Sequence, residues 1–140
     1  MSAYIPLKLR ELVAKRAAHR CEYCLMNDSD AYITFHVDHI ISLRHGGETV
    51  EENLAYACIY CNRWKGSDVG TILIPEREFT RFFNPRLDDW AAHFKWDNLE
   101  IVPLTNIGAA TIKILDLNHF ERIMERQILK DAGRFLLPPE

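Results

Sequence analysis

A chain of 140 residues with a net charge of −3 is the size of one domain, and that charge does not advertise a nucleic-acid binder. Hydrophobic residues make up 48% and charged residues 26%, which is enough to bury a core and excludes bulk disorder. No apolar run approaches the roughly 20 residues that cross a bilayer, and the opening Met1 to Pro6 lacks the basic-then-apolar pattern of a signal peptide. The expectation is therefore a cytoplasmic protein with no membrane partner.

In chain order, residues 6–19 read as a helix: Pro6 suits a first turn, and Leu9, Leu12, Val13 and Ala17 recur at helical spacing. Lys8, Arg10, Lys15, Arg16 and Arg20 accompany only Glu11 in the first twenty positions. They form either a solvated helix face or a local patch for phosphate. Residues 32–41 are rich in β-branched and aromatic types and predict a strand pair, and Gly46-Gly47 marks a turn. Thr49 and Glu52 have capping-box spacing and predict a short helix from Val50 that carries Leu54 and Ala57 inward. A further helix follows Cys58 and stops at Gly66. Residues 67–87, with Pro75 and an Asn84-Pro85 turn signal, read as a loop-rich connection. Asp88 to Phe94 predicts a short helix, residues 94–103 a hairpin turning at Asp97-Asn98, and residues 106–117 and 119–134 two helices. In those two helices Ile112, Leu115, Ile123, Ile128 and Leu129 are expected in the core.

The only four cysteines form two Cys-x-x-Cys pairs, Cys21 with Cys24 and Cys58 with Cys61. In a cytosolic chain this spacing points to tetrahedral zinc rather than disulfides. Two intervening residues let both sulfurs of a pair face one ion, and two pairs complete a shell with no place left for water. Such a site is structural. A redox Cys-x-x-Cys is the weaker reading, because there are two pairs. The long segment between the knuckles holds His36, Asp38, His39, Gly46-Gly47 and Asn53, and Asn62, Arg63 and Lys65 follow the second knuckle directly.

The combined pattern, Cys-x-x-Cys, Asp38-His39-Ile40, Gly46-Gly47, Asn53-Leu54, then Cys-x-x-Cys-Asn62-x-x-Lys65, resembles the zinc-containing branch of the HNH endonucleases. The resemblance covers about residues 20–66. The tail, with Phe83 to Arg86, Trp90, His93-Phe94 and Leu104 to Gly108, resembles the extension of some compact bacterial members. It implies an α+β fold: a ββα-metal nuclease core over residues 20–66, stapled by the zinc site. The N-terminal helix precedes that core, and an extension of a hairpin and two helices over residues 67–140 packs on it, all in one domain.

Carried over residue by residue, Asp38 and Asn62 match the ligands of a catalytic divalent cation and His39 the general base. Asn53 matches the residue that orients the loop and the base. Arg63 and Lys65 stand where basic side chains meet phosphate. His36 is either a further ligand, a neighbour that supports the site, or a half-exposed strand residue. The family's name ends in His where this chain has Asn62, and that departure bears on the metal. Carboxylate and amide oxygens are hard ligands suited to Mg²⁺ or Mn²⁺.

The chemistry is coherent with these roles. Phosphodiester hydrolysis needs an activated water, for which imidazole is a suitable base near neutral pH, and a cation to stabilise the developing charge. On a regular strand Asp38 and His39 face opposite ways, so both serve one site only if the strand ends or bends there. The implied substrate is DNA. Double-strand cutting by one small site would call for a homodimer, for which no sequence feature argues. The competing reading is a non-catalytic zinc module that binds nucleic acid or protein. Such a module needs the four cysteines but has no use for Asp38, His39 and Asn62 together.

Overall fold

The computed structural model describes residues 4–135. Helix α1 spans Leu7–Arg16 and buries Val13 and Ala14. Val13 joins Ile5 and Leu54 in a small apolar cluster that seats α1 on the strands that follow. The helix ends short of the expected residue 19 because Ala18 and His19 take positive φ values of 54° and 59°, which a helix cannot continue through.

Strand β1, His36–His39, pairs antiparallel with β2, Leu54–Ala57, placing His36 opposite Ala57 and His39 opposite Leu54. This departs from the sequence reading twice. The pair is not contained in residues 32–41, and the segment after Val50 is a single 3₁₀ turn, Glu51–Asn53, leading into a strand. The predicted helix fails because its capping residue is used elsewhere: the Thr49 hydroxyl lies 2.9 Å from His39 Nε2. Meanwhile the Asn53 carbonyl accepts from Ile40 N at 2.8 Å, extending the strand pairing.

Helix α2, Ile59–Lys65, follows at once. Cys58 caps it, its sulfur accepting from Cys61 N at 3.4 Å, and Gly66, at φ 54°, ends it as its position predicts.

Residues 67–87 hold a hairpin that the sequence reading misses: β3, Gly70–Leu73, with β4, Glu78–Arg81. Pro75 lies in its turn, outside both strands, so it breaks the apparent pattern without breaking the ladder. The Asn84-Pro85 turn is present, closed by Leu87 N to the Asn84 carbonyl at 3.0 Å. Helix α3 (Trp90–His93), strands β5 (Phe94–Asp97) and β6 (Glu100–Pro103), and helices α4 (Asn106–Leu115) and α5 (Phe120–Asp131) fall where expected. Asn98, in the β5–β6 turn, has φ 55°.

Helix α4 packs on α2, β3, β4 and β6. The main core gathers the four cysteines with Phe35, Ile40, Phe83, Phe94, Ile101 and Leu115. Helix α5 is unusual, because the residues it buries are Arg122 and Arg126. Arg126 donates to the Leu99 and Leu117 carbonyls at 2.9 and 2.6 Å and lies over the Trp96 ring. Two buried guanidiniums leave Ile128, expected in the core, 66% exposed. Among the described residues no helix is long and apolar enough to cross a membrane.

Candidate functional site

The four cysteine sulfurs lie within 4.8 Å of one another and all are buried. Cys24 Sγ and Cys58 Sγ are 3.7 Å apart, close to the edge of roughly 3.8 Å that a tetrahedron with zinc–sulfur bonds of about 2.3 Å requires. In each knuckle the backbone N–H of the second cysteine donates to the sulfur of the first at 3.4 Å. The donor set and its spacing fit a structural zinc ion. Burial pushes the Cys21 and Cys61 thiols well up, while hydrogen bonds from its three cysteine neighbours hold Cys24 well down. Four thiolates cannot coexist in so dry a site without a cation to offset them.

The offset is shared by a residue that sequence reasoning did not find. Arg122 on α5 donates from Nη2 to Cys61 Sγ at 3.1 Å and approaches Cys58 Sγ at 3.8 Å. Its Nη1 donates to the Leu115 and Asp116 carbonyls. The C-terminal helix is thereby tied to the thiolate centre. Arg86 and Trp90 make the corresponding ties from the middle of the tail: Arg86 pairs with Glu22, and Trp90 Nε1 donates to the Tyr23 carbonyl at 2.9 Å.

On the other side of α2 an open groove of about 1470 Å³ is lined by His36, Asp38 and His39 of β1 and by Asn62 of α2, among others. Asp38 and His39 both line it, as do His36 and Val37, so the groove wraps around β1 rather than meeting one face of it. Asp38 is only 6% exposed. The Tyr23 hydroxyl donates to its Oδ2 at 3.1 Å, and Lys65 Nζ lies 3.3 Å from Oδ1 and 3.1 Å from Oδ2. Burial raises the Asp38 carboxyl, and the Lys65 charge and these two hydrogen bonds oppose that rise.

Lys65 departs from the expectation that it meets phosphate. It is 2% exposed and turned inward, where Nζ also donates to the His39 carbonyl at 3.0 Å. The reason is helical geometry: residue 65 lies four positions after Cys61, on the face of α2 that points into the core. Arg63, by contrast, is exposed, and Trp64 is 50% exposed.

The loop after His39 is held by Asn53. Its Oδ1 accepts from Ile41 N at 2.9 Å, and its Nδ2 donates to the Ile41 and Glu48 carbonyls, each at 2.9 Å. Gly47 makes that closure sterically feasible: a Cβ there would lie 1.7 Å from the Ile41 carbonyl oxygen and 2.8 Å from Asn53 Nδ2. His39 is thus fixed from three sides, by Thr49 at its ring, by Lys65 at its carbonyl and by the Asn53 clasp behind it.

Asn62 is half-buried in the groove wall, and His36 is exposed on the strand. Among the described residues His36, Asp38 and His39 do not close into a three-donor cluster; only the cysteines do. Tyr23, Thr49 and Arg122 are the contributors the sequence reading lacks. Tyr23 stands inside the first knuckle, yet nothing local links it to Asp38.

A model of the HNH endonuclease family matches residues 21–68. No curated protein and no solved structure matches the chain.

Proposed function

Because the chain carries an HNH endonuclease domain over residues 21–68, we propose that it hydrolyses DNA phosphodiester bonds, with His39 as general base and a divalent cation held by Asp38 and Asn62. The observation that carries this reading is that Asp38, His39 and Asn62 line one groove, a trio that a purely structural zinc module would not need.

In the tautomer whose Nε2–H donates to Thr49 Oγ1, His39 keeps its lone pair on Nδ1. That nitrogen takes the proton of the attacking water. Asn53 and Lys65 hold the imidazole in place by fixing the backbone that carries it, so that little reorientation is needed when the water is deprotonated. Asp38 accepts hydrogen bonds from Tyr23 at Oδ2 and from Lys65 at Oδ1, which leaves acceptor capacity on the carboxylate for a cation that the Asn62 amide oxygen would also hold. A cation bound there supplies charge stabilisation at the phosphate and the leaving oxygen.

Lys65 already neutralises the Asp38 carboxylate. The protein alone therefore attracts a cation weakly, and the substrate phosphate must complete the attraction. Both protein ligands are hard oxygens, which favours Mg²⁺ and Mn²⁺ over Zn²⁺ and Ni²⁺.

The test is nicking of supercoiled plasmid across a panel of divalent ions, with the structural zinc left in place. Cutting with Mg²⁺ or Mn²⁺ and little with Ni²⁺ is expected. Asn62→His should move the preference toward Ni²⁺ and Co²⁺, which imidazole suits. A native protein that cuts with no ion on the panel is not this enzyme.

A further inference from the structure

The groove does not stop at the residues assigned above. It continues along β1 to α1, where Arg10, Glu11, Ala14 and Lys15 line it, and Arg44 lines it on the loop after His39. At about 1470 Å³ it exceeds the roughly 300–1,000 Å³ of small-molecule sites, which leaves room for an extended ligand.

The wall that α1 provides is fixed relative to the catalytic end. Val13 is fully buried against the cluster that contains Leu54. Arg16, which like Lys8 does not line the groove, reaches across to donate to the Glu51 and Leu54 carbonyls at 3.0 and 2.8 Å. Arg10 is itself aimed: its Nε donates to the Ile5 carbonyl at 2.9 Å, leaving the two terminal nitrogens of the guanidinium to present outward. The basic run of the N-terminal helix is therefore divided by function, with Arg16 structural and Arg10 and Lys15 facing the groove.

We infer that α1 is the second wall of the DNA-binding groove, and that Arg10 and Lys15 hold backbone phosphates flanking the one at Asp38 and His39. This rests on the nuclease reading given above. It also accounts for how a chain of net charge −3 engages a polyanion: the attraction is local, built from Arg10, Lys15 and Arg44 against Glu11 and the already paired Asp38. Glu11 stands four residues before Lys15 on the same wall and opposes binding, so it makes a control of opposite sign.

The experiment measures binding of a short fluorescein-labelled duplex of arbitrary sequence, by anisotropy over a salt series with Mg²⁺ present, in the His39→Ala background. Cutting of plasmid by the native chain is measured in parallel. Each lost phosphate contact removes about 0.9 from the slope of log K against log salt. Arg10→Gln with Lys15→Gln should therefore lower the slope by about 1.8, and alike on unrelated sequences. Glu11→Gln should tighten binding, and Lys113→Gln with Lys130→Gln, outside the groove, should leave the slope alone. A native chain that cuts, with an unchanged slope in the Arg10/Lys15 variant, overturns the inference and leaves the nuclease reading standing. A lowered slope in a chain that does not cut keeps α1 as a DNA-binding wall and overturns the hydrolysis. No measurable duplex binding in a chain that also does not cut overturns both.

Discussion

Cys61 and Asn62 are neighbours on α2, yet they belong to two regions of opposite character. Cys61 faces a closed centre in which all four donors are buried, each first knuckle sulfur accepts a backbone N–H, and Arg122 covers one side. Asn62 faces an open groove, where only Asp38 of the proposed trio is buried and His39 and Asn62 remain partly exposed. A centre with no free position can only hold the fold. A groove with half-exposed, individually oriented side chains can admit a substrate. One helix of seven residues joins the two, so the rigidity of the closed centre sets the geometry of the open one.

The largest effect should come from breaking the closed centre. Cys58→Ser removes one zinc ligand and the cap of α2 together. Structural zinc contributes on the order of 10 kcal/mol in small zinc domains, so the variant should lose both its zinc and its cooperative thermal transition. Metal analysis and a melting curve check this. A variant that keeps a full equivalent of zinc and its native Tm would show that the cysteine cluster is not what holds the hairpin to α2.

The junction between the regions comes next. Lys65→Met leaves Asp38 buried beside Tyr23 without its cation. Removing one partner of a buried pair costs about 3–5 kcal/mol, and denaturant unfolding should show a loss of that size. Adding Asp38→Asn should recover part of it. Because Lys65 faces inward, the salt dependence of DNA binding should stay close to that of the native protein. A loss below about 1 kcal/mol together with a lowered salt slope would mean that Lys65 turns outward to phosphate after all.

A smaller effect is expected within the hairpin, at the groove wall. The Tyr56 hydroxyl on β2 donates to Asp28 Oδ2 at 2.8 Å, and burial, then that carboxylate, raise its pKa to about 12. A hydrogen bond to a charged group contributes about 1.5 kcal/mol, which Tyr56→Phe should lose. The folded pKa lies above the usual tyrosine value near 10. The contribution is therefore fully present below pH 10 and lost as pH rises through about 12. Native and variant stabilities should converge over that window; a gap that persists beyond it would contradict the assignment.

What was legible in the sequence follows from how local each signal is. The two Cys-x-x-Cys pairs announce the closed centre because two residues fix the reach between sulfurs. The β5–β6 hairpin and helices α4 and α5 were legible from a turn dipeptide and a period. The β2 strand was not, because Thr49 and Glu52 carry the spacing of a cap while Thr49 is engaged by His39 across the loop. The inward turn of Lys65 was available in principle, since it shares a helix face with Cys61, but its charge argued for the surface. The contacts of Arg122 with Cys61 and of Tyr23 with Asp38 span residues far apart in the chain. Only tertiary packing brings them together, and no spacing encodes them.

The central claim is that the closed centre holds and the groove cuts, and one variant tests both halves on the same sample. His39→Ala should keep a full equivalent of zinc and the native melting temperature while its Mg²⁺-dependent nicking of supercoiled plasmid falls by roughly 10²–10⁴-fold, the range expected for loss of a general base. Nicking at the native rate with zinc retained would contradict the account.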